Sequence, residues 1–442
     1  MKKNENNILL LSGPIFVELL LQMLVGNADQ AMVGWRDPSG VGAIGNANQV
    51  TTLLLLVFSV VCTAAMILIS QSIGAQDTRR VNRTYCAGLF MNVIFGLVVM
   101  VVLLAGCPFI FKLMGVHADI LEKTCLYMRI IAVGMPFQAV YLTFTAYFRS
   151  NQMMKETMLI SALMNILNIG GNAILINGLG PIPALGVAGA ALSSGISRVI
   201  GVAVIAGLFR VKFGPVLCRE NMTPFPREEL HRLLAIGVPT GGESVSYNMS
   251  QICIQTVCNR FTEFVVNTRV YASMFANITF MFGSAISQAG QVVVARLMGA
   301  GRVEDTKKNV RFALLSSVAV SLTISILLCV FAKPVYSIFT KDQNVLNLAQ
   351  IIMFIEIPLE LGRAVNMTMC RVLQACGDIK FPIVLCIIFA WVVAVGGSWG
   401  LGVGLDMGLA GLWIAMALDE CIRAALFLWR WHTGAWQSKR VL

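Results

Sequence analysis

Twelve apolar runs of about twenty residues follow one another through this 442-residue chain, and a run of that length, coiled as an α-helix, matches the ~30 Å hydrocarbon core of a bilayer. They lie at about residues 8 to 33, 49 to 72, 84 to 107, 124 to 148, 157 to 177, 186 to 209, 231 to 258, 272 to 296, 309 to 332, 345 to 372, 381 to 403 and 408 to 430. Hydrophobic side chains make up 57% of the chain and charged ones 12%, which excludes a soluble globular protein of ordinary composition. The expectation is an all-α integral membrane protein with twelve transmembrane helices. The opening MKKNENNILLLSGPIF suggests a secretory leader, but its apolar run continues past any small-residue cleavage site, so it is read as the first span. The twelve cysteines fall mostly within apolar runs and form no CxxC pair, and the three histidines, His117, His231 and His432, are too scattered for a metal centre.

Charge sets the orientation. With the amino terminus inside, 23 of the 33 Lys and Arg residues fall on the cytoplasmic side and 7 on the other, and Arg129, Arg198 and Arg363 remain within spans. This asymmetry places both termini in the cytoplasm. It also accounts for the net charge of +11 without a nucleic-acid partner, because the basic residues are dispersed over loops and not gathered in one patch.

The chain repeats itself. Pro14 and Glu18 recur as Pro239 and Glu243, and Gly74-Ala75 as Gly299-Ala300, all at an offset of 225; DTRR at 77 recurs as DTKK at 305. Later matches run at 222: Pro136 with Pro358, Arg149 with Arg371, Gln152 with Gln374, GLG at 178 with GLG at 400, and Gly186 and Gly189 with Gly408 and Gly411. Each repeat holds six spans, an even number, so the two six-helix bundles share one orientation and are expected to be related by an axis along the membrane normal. The domains are read as 1–209, a cytoplasmic linker at 210–230 with three prolines and many charges, and 231–442.

Acids inside spans carry the functional argument. A charged side chain near the bilayer centre costs roughly 2.5–3.5 kcal/mol on insertion scales, so such residues face a wet cavity, bind ions or substrate, or pair with an arginine. Glu18 and Asp29 sit eleven residues apart in the first span, which brings them within about 20° of each other on a helix, some 16 Å apart along its axis. Gln22 lies on the same stripe. Asn168 and Asn172 are one turn apart in NIGGN, and the small residues around Gly186 and Gly189 let the sixth span bring Ser194 close. A carboxylate with amide and hydroxyl oxygens binds a hard monovalent cation, and the same carboxylate, desolvated, carries a proton. Packing by interhelical hydrogen bonds is the alternative for the two asparagines.

In the second half, Glu243, Tyr247, Asn248, Gln251 and Gln255 form a polar stripe on the seventh span, and Gln288 and Gln291 mark the eighth. On the tenth span Glu356, Glu360 and Arg363 fall at i, i+4 and i+7; Glu360 is placed to pair with Arg363, whereas Glu243 and Glu356 have no partner nearby in sequence and are candidates for substrate or proton. Asp419, Glu420 and Arg423, near the last helix, are read as a local charge cluster, either on the cytoplasmic side or between helices.

The segments VGNADQAMVG, SQSIGAQD, NIGGN followed by GLGPIPALGVAGAALSS, IGVPTGGE and LQACGDIKFP resemble the multidrug and toxic compound extrusion (MATE) transporters over essentially the whole chain, and LELGRAVN and the ending DECIRAALFLWRWHTGAW are similar to bacterial members. The resemblance implies that Asp29 is the first-helix acid that binds the coupling cation or proton, with Asn168 and Ser194 as its oxygen partners. Position 172 departs, since many members carry Asp there and this chain has Asn172. The expected function is a Na+- or H+-coupled antiporter in the bacterial cytoplasmic membrane. It would export organic, often cationic, compounds, lined by Glu18, Gln22, Glu243, Tyr247, Asn248, Gln251, Glu356, Glu360 and Arg363. No cofactor beyond the coupling ion is expected, no metal beyond Na+ at Asp29, and no partner beyond membrane lipid and a small organic substrate; a monomer is the simplest state. A lipid-linked saccharide flippase is the alternative, with Arg129, Arg198 and Arg363 as the cations available for a pyrophosphate. No HExxH, Ser/His pair or metal cluster lies within a span, which argues against an enzyme.

Overall fold

The computed structural model describes residues 7–178, 183–437 and 439. Part of the GLGPIP loop singled out in the sequence, residues 179–182, lies outside them. The described residues form helices and no strand. Twelve are long: α1 Ile8–Gly34, α2 Pro38–Gly74, α3 Thr78–Leu113, α4 Ala118–Ser150, α5 Met154–Asn177, α6 Val187–Phe213, α7 Arg227–Cys258, α8 Glu263–Gly299, α9 Val303–Val330, α10 Gln343–Cys376, α11 Lys380–Gly404 and α12 Gly408–His432. Ten of these are apolar enough by themselves to cross a membrane. The remaining two, α7 and α12, are the helices that carry Glu243 with its polar stripe and the Asp419, Glu420, Arg423 trio.

Local chemistry explains the helix ends. Asp77 starts α3 by accepting the Arg80 amide at 3.0 Å, and Asp342 starts α10 by accepting the Asn344 amide at 2.9 Å. Gly377 closes α10 with φ 96°, a left-handed conformation open to a residue without Cβ. The glycines paired at 222 in the sequence, Gly186 and Gly408, both have positive φ, 53° and 56°, at the entries to α6 and α12. Within α11 two stretches, Ala390–Val395 and Ser398–Gly404, widen to π geometry.

The chain divides into two compact units. One holds Val17–Ile69 and Asp77–Gly241; the other holds the described residues up to Phe16, Ser70–Gln76 and those from Gly242 onward. In the first, α3 packs along α4, and both α4 and α5 pack on α6. The same pairing recurs in the second, where α9 packs along α10, and both α10 and α11 pack on α12. The repeat read in the sequence is thus a repeat of helix contacts. Each unit has its own apolar centre, built around Phe58, Tyr127 and Met128 in one and around Ile352, Leu359 and Trp413 in the other.

The second unit also contains a contact made twice. A Cβ added to Gly74 would strike the Arg296 carbonyl, and one added to Gly299 would strike the Gln71 carbonyl. Since Gln71 and Arg296 are themselves 225 residues apart, as are the two glycines, the ends of α2 and α8 cross with the same backbone contact in both directions. Gln71 Nε2 fixes this crossing by donating to the Ala375 carbonyl at 2.7 Å.

Candidate functional site

Three helices of the first unit bring the amino-terminal candidates together. Asp29 points from α1 and is 4% exposed. Asn172 Nδ2 donates to Asp29 Oδ1 at 2.5 Å, and Ser194 Oγ donates to Asp29 Oδ2 at 3.1 Å. The ring closes through Asn168, whose Nδ2 donates to Ser194 Oγ at 2.9 Å and whose Oδ1 lies 3.4 Å from Asn172 Nδ2. All four residues read as one site in the sequence therefore share one hydrogen-bonded ring.

The helix geometry shows why the ring can close. Asn168 and Asn172 lie a turn apart on α5, with Gly171 next to the second amide. Gly171 meets Ser193 of α6: a Cβ there would collide with the Ser193 hydroxyl, which donates to the Asn168 carbonyl at 2.8 Å. Gly189 in turn lets the start of α6 rest on the Leu175 carbonyl. Small residues thus draw α5 and α6 close enough for a short serine side chain to span the gap.

Two features give this ring its chemistry. Asp29 has no ion-pair partner within 4.0 Å among the described residues, although it is a buried carboxylate. Asn172 Oδ1, beside it, is a buried carbonyl oxygen with no donor. The group carries a buried carboxylate with no ion-pair partner and an amide oxygen with no donor, the kinds of oxygen that suit a monovalent cation or a proton. Arg198 adds a further element that the sequence reading did not assign to the site. It lies one turn beyond Ser194 on α6, and its charge acts on both Asp29 and Tyr127. The i, i+4 spacing from Ser194 was the signal that could have found it.

Glu18, expected on the same stripe as Asp29, has a different environment. It is fully buried, Arg149 Nη2 lies 2.9 Å from its Oε2, and Thr157 Oγ1 donates to it at 3.1 Å. Gln22 is exposed and reaches Glu18 Oε1 only at 3.5 Å. The structure does not bring Glu18 or Gln22 into the Asp29 ring.

The carboxyl-terminal candidates gather in the second unit as a buried charge network. Arg363 pairs with Glu360, lies 3.9 Å from Glu356 and 4.0 Å from Glu420. Arg423 grips Asp419 with two nitrogens, at 2.9 and 2.5 Å, and reaches Glu420 at 3.1 Å. Asn366 Nδ2 donates to Glu420 at 2.5 Å, and Trp413 Nε1 to Glu356 at 2.6 Å. Four carboxylates share two guanidiniums, so acids outnumber the cations paired with them in this cluster. Glu243 and Tyr247, a turn apart on α7, lie in the field of Arg423, joined by Arg371 for the first and Arg363 for the second. Asn248 turns back on its own helix to the Ser244 carbonyl at 2.8 Å, and Gln251 is half-buried on the same helix.

The chain is similar to known proteins over nearly its whole length. The family model MatE matches residues 14–174 and 239–399, two stretches of equal length that begin 225 residues apart, the offset of the internal repeat. The uncharacterized transporter YisQ of Bacillus subtilis (strain 168) is 30% identical over 430 residues, covering 97% of this chain and 94% of that protein. The probable multidrug resistance protein NorM of Thermotoga maritima is 24% identical over 440 residues, covering 98% and 93%. The crystal structure of MATE in the bent conformation superposes with a TM-score of 0.90 at 22% identity, covering 97% of this chain and 95% of that one, which places both in one twelve-helix fold.

Proposed function

The chain belongs to the MatE family of transporters, not enzymes, and on that premise we propose that it is a cation-coupled antiporter that exports small organic compounds across the cytoplasmic membrane with both termini inside. The observation that carries the reading is the Asp29 ring, a buried carboxylate with no ion-pair partner, met by two neutral donors and next to an unsatisfied amide oxygen. Such a site gains or loses one positive charge at low structural cost. Two of the relatives it resembles support the export of drugs, since they carry multidrug resistance in their names.

Coupling needs a site whose affinity differs between the two states of the carrier, because only differential binding shifts a conformational equilibrium. Asp29 is assigned that role, with Asn168, Asn172 and Ser194 as the ligands that hold the ion, a proton or Na+. The surplus of carboxylates around Glu356, Glu360, Asp419 and Glu420, with Glu243 and Tyr247 beside them, is assigned to the cationic substrate. Glu18 is assigned to structure through Arg149.

The test is vectorial. Inside-out vesicles carrying the protein are offered a fluorescent organic cation under a Na+ gradient or a pH gradient, one at a time. Uptake driven by either gradient, and abolished in Asp29→Asn with expression intact, is the expected result. Ion-driven uptake that survives Asp29→Asn sinks the assignment of Asp29, and no uptake under either gradient moves the reading to lipid flipping.

A further inference from the structure

The Arg198 side chain has no place in the proposed function as it stands, and its surroundings are unusual for an arginine. Its Nη1 is buried without a hydrogen-bond acceptor, and no carboxylate lies within 4.0 Å of its guanidinium among the described residues. The group lies near Gly134 of α4, where an added Cβ would stand 3.9 Å from Nη1, an ordinary van der Waals distance. On α6 it shares a face with Ser194, which donates to Asp29. Asp29 and Tyr127 are the groups on which its charge acts.

A guanidinium stays charged at any pH a cell meets. Held inside a membrane protein with an unmet donor, it would be stabilised by any state of the protein that offered it an acceptor. The carboxylate on which its charge acts is Asp29, now engaged by Asn172 and Ser194. We infer that Arg198 is a positioning residue whose guanidinium trades places with the coupling ion: with the ion bound it withdraws toward Gly134, and with the ion gone it donates to Asp29 and neutralises it.

The exchange answers a difficulty in any single-carboxylate coupling site. An emptied site would leave a bare buried charge, which resists the conformational return that a carrier must make. A tethered cation keeps the site near neutrality in both states. It also competes with the ion, weakening its binding and speeding its release. Asn172 fits this arrangement, because a second acid there would leave one negative charge uncompensated when Arg198 docks. The position 222 residues on, Glu420, bears the opposite charge and binds Arg423, so the repeat gives no general reason for a cation at this point of the helix.

This inference rests on the assignment of Asp29 as the coupling site, and the experiment separates the two. Wild type, Arg198→Gln, Arg198→Lys, Arg198→Met and Asp29→Asn are reconstituted in liposomes, and uptake of a fluorescent organic cation is measured across a range of concentrations of whichever ion drives wild type. Removing the competing charge in Arg198→Gln is expected to lower the half-saturating ion concentration about tenfold or more, and to lower the maximal rate as ion release slows. Arg198→Lys is expected to return both toward wild type, and Arg198→Met, which keeps the volume and drops the charge, to behave like Arg198→Gln and to replace it if that variant fails to accumulate. A half-saturating concentration within twofold of wild type in the uncharged variants, whatever their maximal rate, overturns the inference and leaves Asp29 untouched, as does weaker ion binding. Ion-driven uptake in Asp29→Asn overturns both.

Discussion

Two acids on one stripe of α1 meet different fates, and the difference comes from what their neighbours supply. Glu18 meets a cation, Arg149, and Asp29 meets neutral donors. Removing one member of a buried pair strands the other charge, so Glu18→Gln is expected to cost about 3–5 kcal/mol of stability, and Glu18→Gln with Arg149→Met to recover most of it, read as melting temperature in detergent. At the loop between α1 and α2, Lys123 Nζ stands 2.5 Å from Asp37 Oδ2 and, with the Ser39 hydroxyl, holds that carboxyl below its ordinary value of 3.8. Its contribution is therefore complete at neutral pH and is lost as the pH falls through that lowered value. Asp37→Asn is expected to cost about 0.2–1 kcal/mol at pH 7 and nothing in stronger acid, as a partly exposed pair should, in melts run across pH. The Asp29, Asn168, Asn172, Ser194 set was legible because each residue is a polar interruption of an apolar run. The partner of Glu18 was not, because Arg149 stands far along the chain at the end of α4, where a basic residue serves topology equally well, and no periodicity links the two.

Helix positions were legible from run length, since a span must reach across a fixed thickness of hydrocarbon. What single runs could not reveal was how closely the helices approach, because that depends on which glycine faces which backbone. Gly171 and Ser193 are the case that touches the site. Gly171→Ala is expected to push α5 from α6, break the Asn168 to Ser194 bond, and cost about 1–3 kcal/mol as an overpacked contact does. Ion-driven uptake and the melting temperature should fall together. The crossing of α2 and α8 has the same character. Gly74→Ala and Gly299→Ala are expected to lower the melting temperature by similar amounts, since each adds a methyl to the same backbone contact seen from opposite sides. The helices α7 and α12 stand outside the ten apolar spans, and it is these two that carry Glu243 and the Asp419, Glu420, Arg423 trio.

At the scale of the molecule, the two compact units do not follow the chain from end to end. The described residues up to Phe16 and Ser70–Gln76 belong with the unit that otherwise begins at Gly242. A fragment cut in the 210–230 linker would carry away pieces of the other unit's interior. Residues 1–218 expressed alone are expected to be degraded, and to accumulate only when 219–442 is made in the same cell, which a membrane-fraction blot would reveal. The units also share one pattern of helix contacts and differ in charge: Ser194 and Arg198 of α6 stand where Met416 and Glu420 stand in α12. The doubled contact of Gly74 and Gly299 is what two identical subunits make across a twofold axis, where residue i meets j and j meets i. The same reciprocity appears here within one chain, between two segments 225 residues apart. Each copy of the repeat changes independently of the other, so an arginine at position 198 is compatible with an acid at its counterpart, Glu420.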